Sequence, residues 1–87
     1  MLPVARVGDI HICGNPNHPP NVIVEGGSQL VDGKPVARVG DLCGCGCTIT
    51  SGSSQAQDGG KAIAYLGSST SSGGSIVSGS GTVKVMP

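Results

Sequence analysis

The chain has 87 residues, five basic and five acidic side chains that cancel to a formal net charge of zero, sixteen Gly, and one aromatic residue, Tyr65. A core of this size without Phe or Trp buries little area, so a metal, disulfides or association must supplement it. Charges scattered singly, with no aromatic platform between them, give no footprint for nucleic acid, and no apolar run is long enough for a membrane span.

The chain opens with Met1-Leu2-Pro3-Val4-Ala5-Arg6, which lacks the basic and apolar regions of a secretory signal, so synthesis in the cytoplasm is expected. In that reducing compartment its four Cys read as metal ligands before disulfides.

Taken in chain order, the segments repeat. Pro3-Val4-Ala5-Arg6-Val7-Gly8-Asp9 returns letter for letter as Pro35-Val36-Ala37-Arg38-Val39-Gly40-Asp41. A third, altered copy follows Gly60-Lys61 as Ala62-Ile63-Ala64-Tyr65-Leu66-Gly67-Ser68, with Tyr65 in the Arg position and Ser68 in the Asp position. Each copy is followed by a second short apolar stretch: Val22-Ile23-Val24, then Thr48-Ile49-Thr50, then Ser75-Ile76-Val77. These alternating runs, punctuated by Gly, Ser, Pro and Asn, predict short strands and tight turns, and nowhere does helical spacing persist. The Ser/Gly-rich stretches 51–54 and 67–75 keep register within the repeat and read as turns.

The expected fold is therefore all-β, a single domain over 1–87 with units at about 3–34, 35–61 and 62–87. No unit can bury its own apolar face, so the three should pack about a common axis as a small pseudo-three-fold body. Within Arg-Val-Gly-Asp, Gly permits the turn and Asp can accept backbone N–H groups across it. Arg6 and Arg38 could pair with those aspartates, bond a neighbouring carbonyl, or stand as solvated surface charge.

Every His and Cys lies in the segments after Gly8-Asp9 and Gly40-Asp41: His11, Cys13, His18, Cys43, Cys45 and Cys47. Rotation of one repeat onto the next would place these segments at the same end of the body. Zinc takes four His or Cys ligands, and its binding can supply about ten or more kcal/mol of folding free energy. Aligning the units matches His18, Cys45 and Ser72, which puts His18 and Cys45 first as ligands. His11 follows, because the two-residue step to Cys13 sets both side chains on one face of an extended segment. Cys13 comes fourth, ahead of Cys47 and Cys43. A disulfide from Cys13 to one of the later thiols is the competing use of the same residues.

Pro35-Val36-Ala37-Arg38, with the Gly-Lys frame and Asp9-Ile10-His11-Ile12-Cys13, resembles the PAAR-repeat family, and the resemblance runs through essentially the whole chain. It implies a cone-like β protein, zinc-stapled near its apex, that caps a trimeric β-helical spike, one cap to three spike chains. Such spikes belong to type VI secretion systems and contractile phage tails. The implied role is a sharp tip that aids piercing of the target envelope, touches the target membrane transiently, and in some relatives carries or recruits effector proteins. The implied location is a particle assembled in the cytoplasm and delivered to the target envelope. Relatives often have His-Gly-Gly where this chain has Ser72-Gly73-Gly74, so one usual ligand is replaced.

That reading is of a structural, non-enzymatic protein. Its principal rival is a small zinc-dependent hydrolase using His11, His18 and a thiol with an open coordination position and one of Asp9, Glu25, Asp32, Asp41 or Asp58 as base. A Gly/Ser/Thr-rich solenoid that binds ice or carbohydrate would need larger arrays than Thr48, Thr50, Thr70 and Thr82 provide.

Overall fold

A computed structural model describes residues 1–14 and 17–87. Its strands are two or three residues long, as a chain with Gly, Ser or Pro every few positions dictates. They are β1 (Leu2–Pro3), β2 (Ile10–Ile12), β3 (Asn21–Val22), β4 (Leu30–Val31), β5 (Lys34–Pro35), β6 (Gln57–Asp58), β7 (Lys61–Ala62), β8 (Ser75–Ile76) and β9 (Lys84–Val85). All pairings among them are antiparallel, and among the described residues there is no helix.

The repeats close on one another through the backbone. Ala5 N–H donates to Ala64 O at 3.0 Å, Ala64 N–H to Ala37 O at 2.9 Å, and Ala37 N–H to Ala5 O at 2.9 Å. This three-membered ring lies on a pseudo-three-fold axis. Isolated bridges repeat the cycle, pairing Val4 with Tyr65, Val36 with Arg6, and Ile63 with Arg38. Only a small side chain fits at such a crossing, and Ala5, Ala37 and Ala64 are each fully buried.

Two apolar layers stack along the axis. Val4, Val36 and Ile63 form one, packed against Val31, Ala56 and Val85. The other joins the Ala ring to Ile23, Ile49 and Ile76, one Ile from each repeat, with Cys43.

At the valine end lie three equivalent two-stranded elements. The β4–β5 hairpin turns at Asp32-Gly33 and the β6–β7 hairpin at Gly59-Gly60, all four residues with positive φ, the geometry that suits two-residue hairpins. The third element pairs β9 with β1, Leu2 opposite Val85 and Pro3 opposite Lys84, so the two ends of the chain complete the set.

The turn that follows each Ala of the ring has the same backbone geometry in all three repeats. Gly8, Gly40 and Gly67 hold φ near +95°, at 94°, 94° and 96°, a region that disfavours any Cβ. Asp9 accepts the backbone N–H of Arg6 at 2.7 Å and Asp41 that of Arg38 at 2.9 Å. The guanidinium groups pair with the same carboxylates, Arg6 with Asp9 at 2.9 Å and Arg38 with Asp41 at 3.1 Å. Of the three fates open to these arginines in the sequence, pairing is the principal one, and Arg38 also reaches the Gly26 carbonyl at 3.5 Å.

Candidate metal centre

Beyond Gly8-Asp9, Gly40-Asp41 and Gly67-Ser68 the chain enters the core once more before turning back at the end of the body opposite the valine end. Hydrogen-bond register makes His11, Cys43 and Thr70 equivalent, and all three are buried. Their sequels differ. The apical connection spans nine residues in the first repeat (12–20) and three in each of the others (44–46 and 71–73). Counting from the preceding strand therefore matches Cys13 with Cys45 and Ser72, while counting back from the following strand matches Asn21 with Cys47 and Gly74. The equivalence of His18 with Cys45 expected from the sequence does not survive this longer first connection.

The first and third connections pack backbone to backbone. A Cβ on Gly14 would overlap the Ser72 carbonyl oxygen, and one on Gly74 would overlap the Ile12 carbonyl oxygen. This contact brings the Cys13 region against the third repeat, while Cys45 and Cys47 arrive from the second.

His11, Cys13 and Cys45 converge there, their ligand atoms all within 4.8 Å of one another. Cys13 and Cys45 touch through their sulfurs, yet their Cα atoms are 7.5 Å apart, beyond the roughly 4.4–6.8 Å that disulfides span. The two sulfurs are joined in the structure, so the pair can serve as a disulfide or, when reduced, as two thiolates sharing an ion. Cys47 Sγ stands 3.5 Å from Cys13 Sγ and 3.2 Å from Cys45 Sγ. Soft thiolates with an imidazole form a donor set suited to zinc; His11 and Cys13 are buried and Cys45 is half-buried. By donor chemistry and spacing, the residues present fit a metal ion.

Neighbouring groups fix the imidazole. His11 Nδ1 faces Cys45 Sγ at 3.9 Å and Asn21 Oδ1 at 3.2 Å, while Nε2 bonds Thr70 Oγ1 at 2.8 Å. If Nδ1 takes the metal, Nε2–H donates to Thr70, the second-sphere arrangement that sets tautomer and ring orientation. Asn21 also donates its amide N–H to Cys13 Sγ at 3.7 Å.

His18 is exposed and, like Cys47, stands outside the three-residue group, but it lines an open pocket beside Cys45, with Pro19, Asn21 and Gly44. Cys43 packs in the apolar core, where burial, followed by the nearby Cys47, pushes its thiol up to about 11. Cys47, ranked just behind Cys13 as a ligand in the sequence, occupies the station of Asn21 and Gly74 in the other repeats.

No curated protein matches the chain. The family model for the PAAR motif matches residues 1–51, the first repeat and most of the second. The match ends before the altered third copy, where Tyr65 and Ser68 replace the Arg and Asp of the motif. With more than half of its length matched and the motif written twice in its closed ring of repeats, this chain belongs to the PAAR-motif family.

Proposed function

We propose that the protein is the tip of a contractile injection machine, a phage tail or type VI secretion particle, seated on the blunt end of a trimeric β-helical spike. The PAAR motif is associated with the spike-tip proteins of both kinds of machine. The observation that carries the reading is the closed Ala5–Ala37–Ala64 ring, through which one chain reproduces three-fold symmetry. A body built this way offers three similar elements at one end, and a trimer offers three equivalent strand ends to meet them. Backbone pairing across such a junction gives affinity without residue-specific pockets. Leu30 in the β4–β5 hairpin, and Met1 and Met86 flanking the β1–β9 pair, are exposed apolar side chains at that end and support contact there.

The opposite end is the apex, where His11, Cys13 and Cys45 hold a structural zinc ion. When bound, the ion ties the first and second repeats together, and the repeats supply its ligands from rigid turns. A tip fixed in this way resists local unfolding as it pierces the target envelope and meets the target membrane. Effector proteins are carried with it as passengers of the particle.

Native mass spectrometry after mixing the chain with a trimeric β-helical spike tests this reading. A complex of one chain with three spike chains is expected. Separate species over a range of salt would overturn it.

A further inference from the structure

The zinc apex proposed above has three ligands, and a closed structural site takes four. We infer that Cys47 is the fourth, so that one imidazole and three thiolates (His11, Cys13, Cys45 and Cys47) hold the ion; the inference rests on that metal-bound apex. Three observations converge on Cys47.

The first is distance. A tetrahedral zinc ion with Zn–S bonds of about 2.3 Å holds its sulfurs roughly 3.8 Å apart. Cys47 Sγ lies 3.5 Å from one candidate sulfur and 3.2 Å from the other, close to that spacing with respect to both. His18 belongs to a nine-residue connection (12–20) and is exposed at the edge of the neighbouring pocket.

The second is position in the repeat. Residue 47 corresponds to Asn21 and Gly74, so the fold places no demand for a thiol there. Cys43, by contrast, occupies a core station and packs among Ala5, Ile23, Ala37, Ile49, Ala64 and Ile76.

The third is the neighbour. Cys47 Sγ is 2.7 Å from Ser72 Oγ, the hydroxyl at the tip of the third repeat. The second repeat therefore reaches into the place where a side chain of the third would deliver its own ligand. Ser72 is a poor zinc ligand but a good donor, and its O–H can hydrogen-bond the Cys47 thiolate. Three thiolates around a divalent ion leave one net negative charge. Donors from Ser72 to Cys47 and from Asn21 to Cys13 spread that charge. A set this rich in sulfur favours soft or borderline ions such as zinc over hard ones such as magnesium.

X-ray absorption on the zinc-loaded full chain counts the ligands directly. The expected shell is three sulfurs at about 2.3 Å and one nitrogen at about 2.0–2.1 Å. Cys47→Ser should reduce the sulfur count to two and weaken zinc in a chelator competition roughly a hundredfold. His18→Ala and Cys43→Ala should leave both the shell and the affinity unchanged, and these two variants keep the test decisive if Cys47→Ser fails to fold. Two sulfurs and two nitrogens, one nitrogen lost in His18→Ala, would overturn the role of Cys47 while leaving the metal apex intact. A chain that binds no zinc at all would overturn both.

Discussion

Ser68 Oγ accepts the backbone N–H of Tyr65 at 3.0 Å, at the station in the third repeat where Asp9 and Asp41 accept the N–H of Arg6 and Arg38. The turn is the same, but the third copy has lost the ion pair that reinforces it. Asp41→Ala should therefore be the more destabilising change, because it removes the acceptor of a backbone N–H and the carboxylate partner of Arg38 together. Ser68→Ala should cost only about 1 kcal/mol, the loss of one neutral hydrogen bond. Urea unfolding of the two variants beside the wild type measures the difference.

Acid should act on these turns in a defined direction. Burial pushes the Asp9 carboxyl up, but hydrogen bonds from the Arg6 side chain and backbone, and from Ser78, outweigh it and hold the group below its ordinary range. A carboxylate depressed in the folded state adds stability that is complete above its unfolded value of about 3.9 and is lost as pH falls through the folded value. The stability gap between wild type and Asp9→Asn should be full at pH 7 and should narrow below about pH 4. Comparing the two proteins cancels the acid sensitivity of the metal site, which both share. Unfolding curves at a series of pH values check it, and a gap that stays constant down to pH 3 would contradict the assignment.

The Ala ring leaves no room to grow. Ala37 donates to one neighbour in the ring and accepts from the other while fully buried. Ala37→Leu should destabilise the chain by about 1–3 kcal/mol or more through overpacking, with matching losses for Ala5 and Ala64. Thermal melts of the three variants should give similar shifts, since the ring treats the positions alike.

Gly74 meets the Ile12 carbonyl, and a Cβ there would also crowd Thr70, the partner of His11. Gly74→Ala should loosen the apex more than the base. Hydrogen exchange should show lost protection around residues 11–14 and 70–74, with the β4–β5 and β6–β7 hairpins unchanged. Weaker metal retention should accompany it.

Much of this architecture was legible in the sequence because one heptapeptide occurs twice and marks a repeated structural unit. Pro3–Asp9 and Pro35–Asp41 announced the repeat, and the alternation in Ala62–Ser68 carried it into a copy that had lost Arg and Asp. The step from His11 to Cys13 correctly placed two buried side chains together. The remaining details depend on contacts between repeats. A longer first connection shifts the alignment, so His18 looks equivalent to Cys45 in sequence and is exposed in space. Cys47 was already a candidate in the sequence, but its nearness to Cys13 and Ser72 shows only in the fold. Two further carboxylates were invisible for the same reason. Asp32 accepts from Ser80 and Thr82, each at 2.6 Å, and pairs with Arg6, while buried Asp58 accepts the Gln29 N–H at 2.8 Å. Both anchor a hairpin to another repeat, and no feature of the repeated motif marks them.

The central claim is that a bound metal ion fixes the apex of this closed three-repeat body. Metal content of untagged protein, measured together with thermal melting before and after chelation, tests it most directly. One zinc ion per chain, with a large fall in melting temperature on its removal and recovery on its return, is the expected result. Protein free of metal, with Cys13 and Cys45 oxidised as a pair and a melting temperature indifferent to chelator, would contradict it.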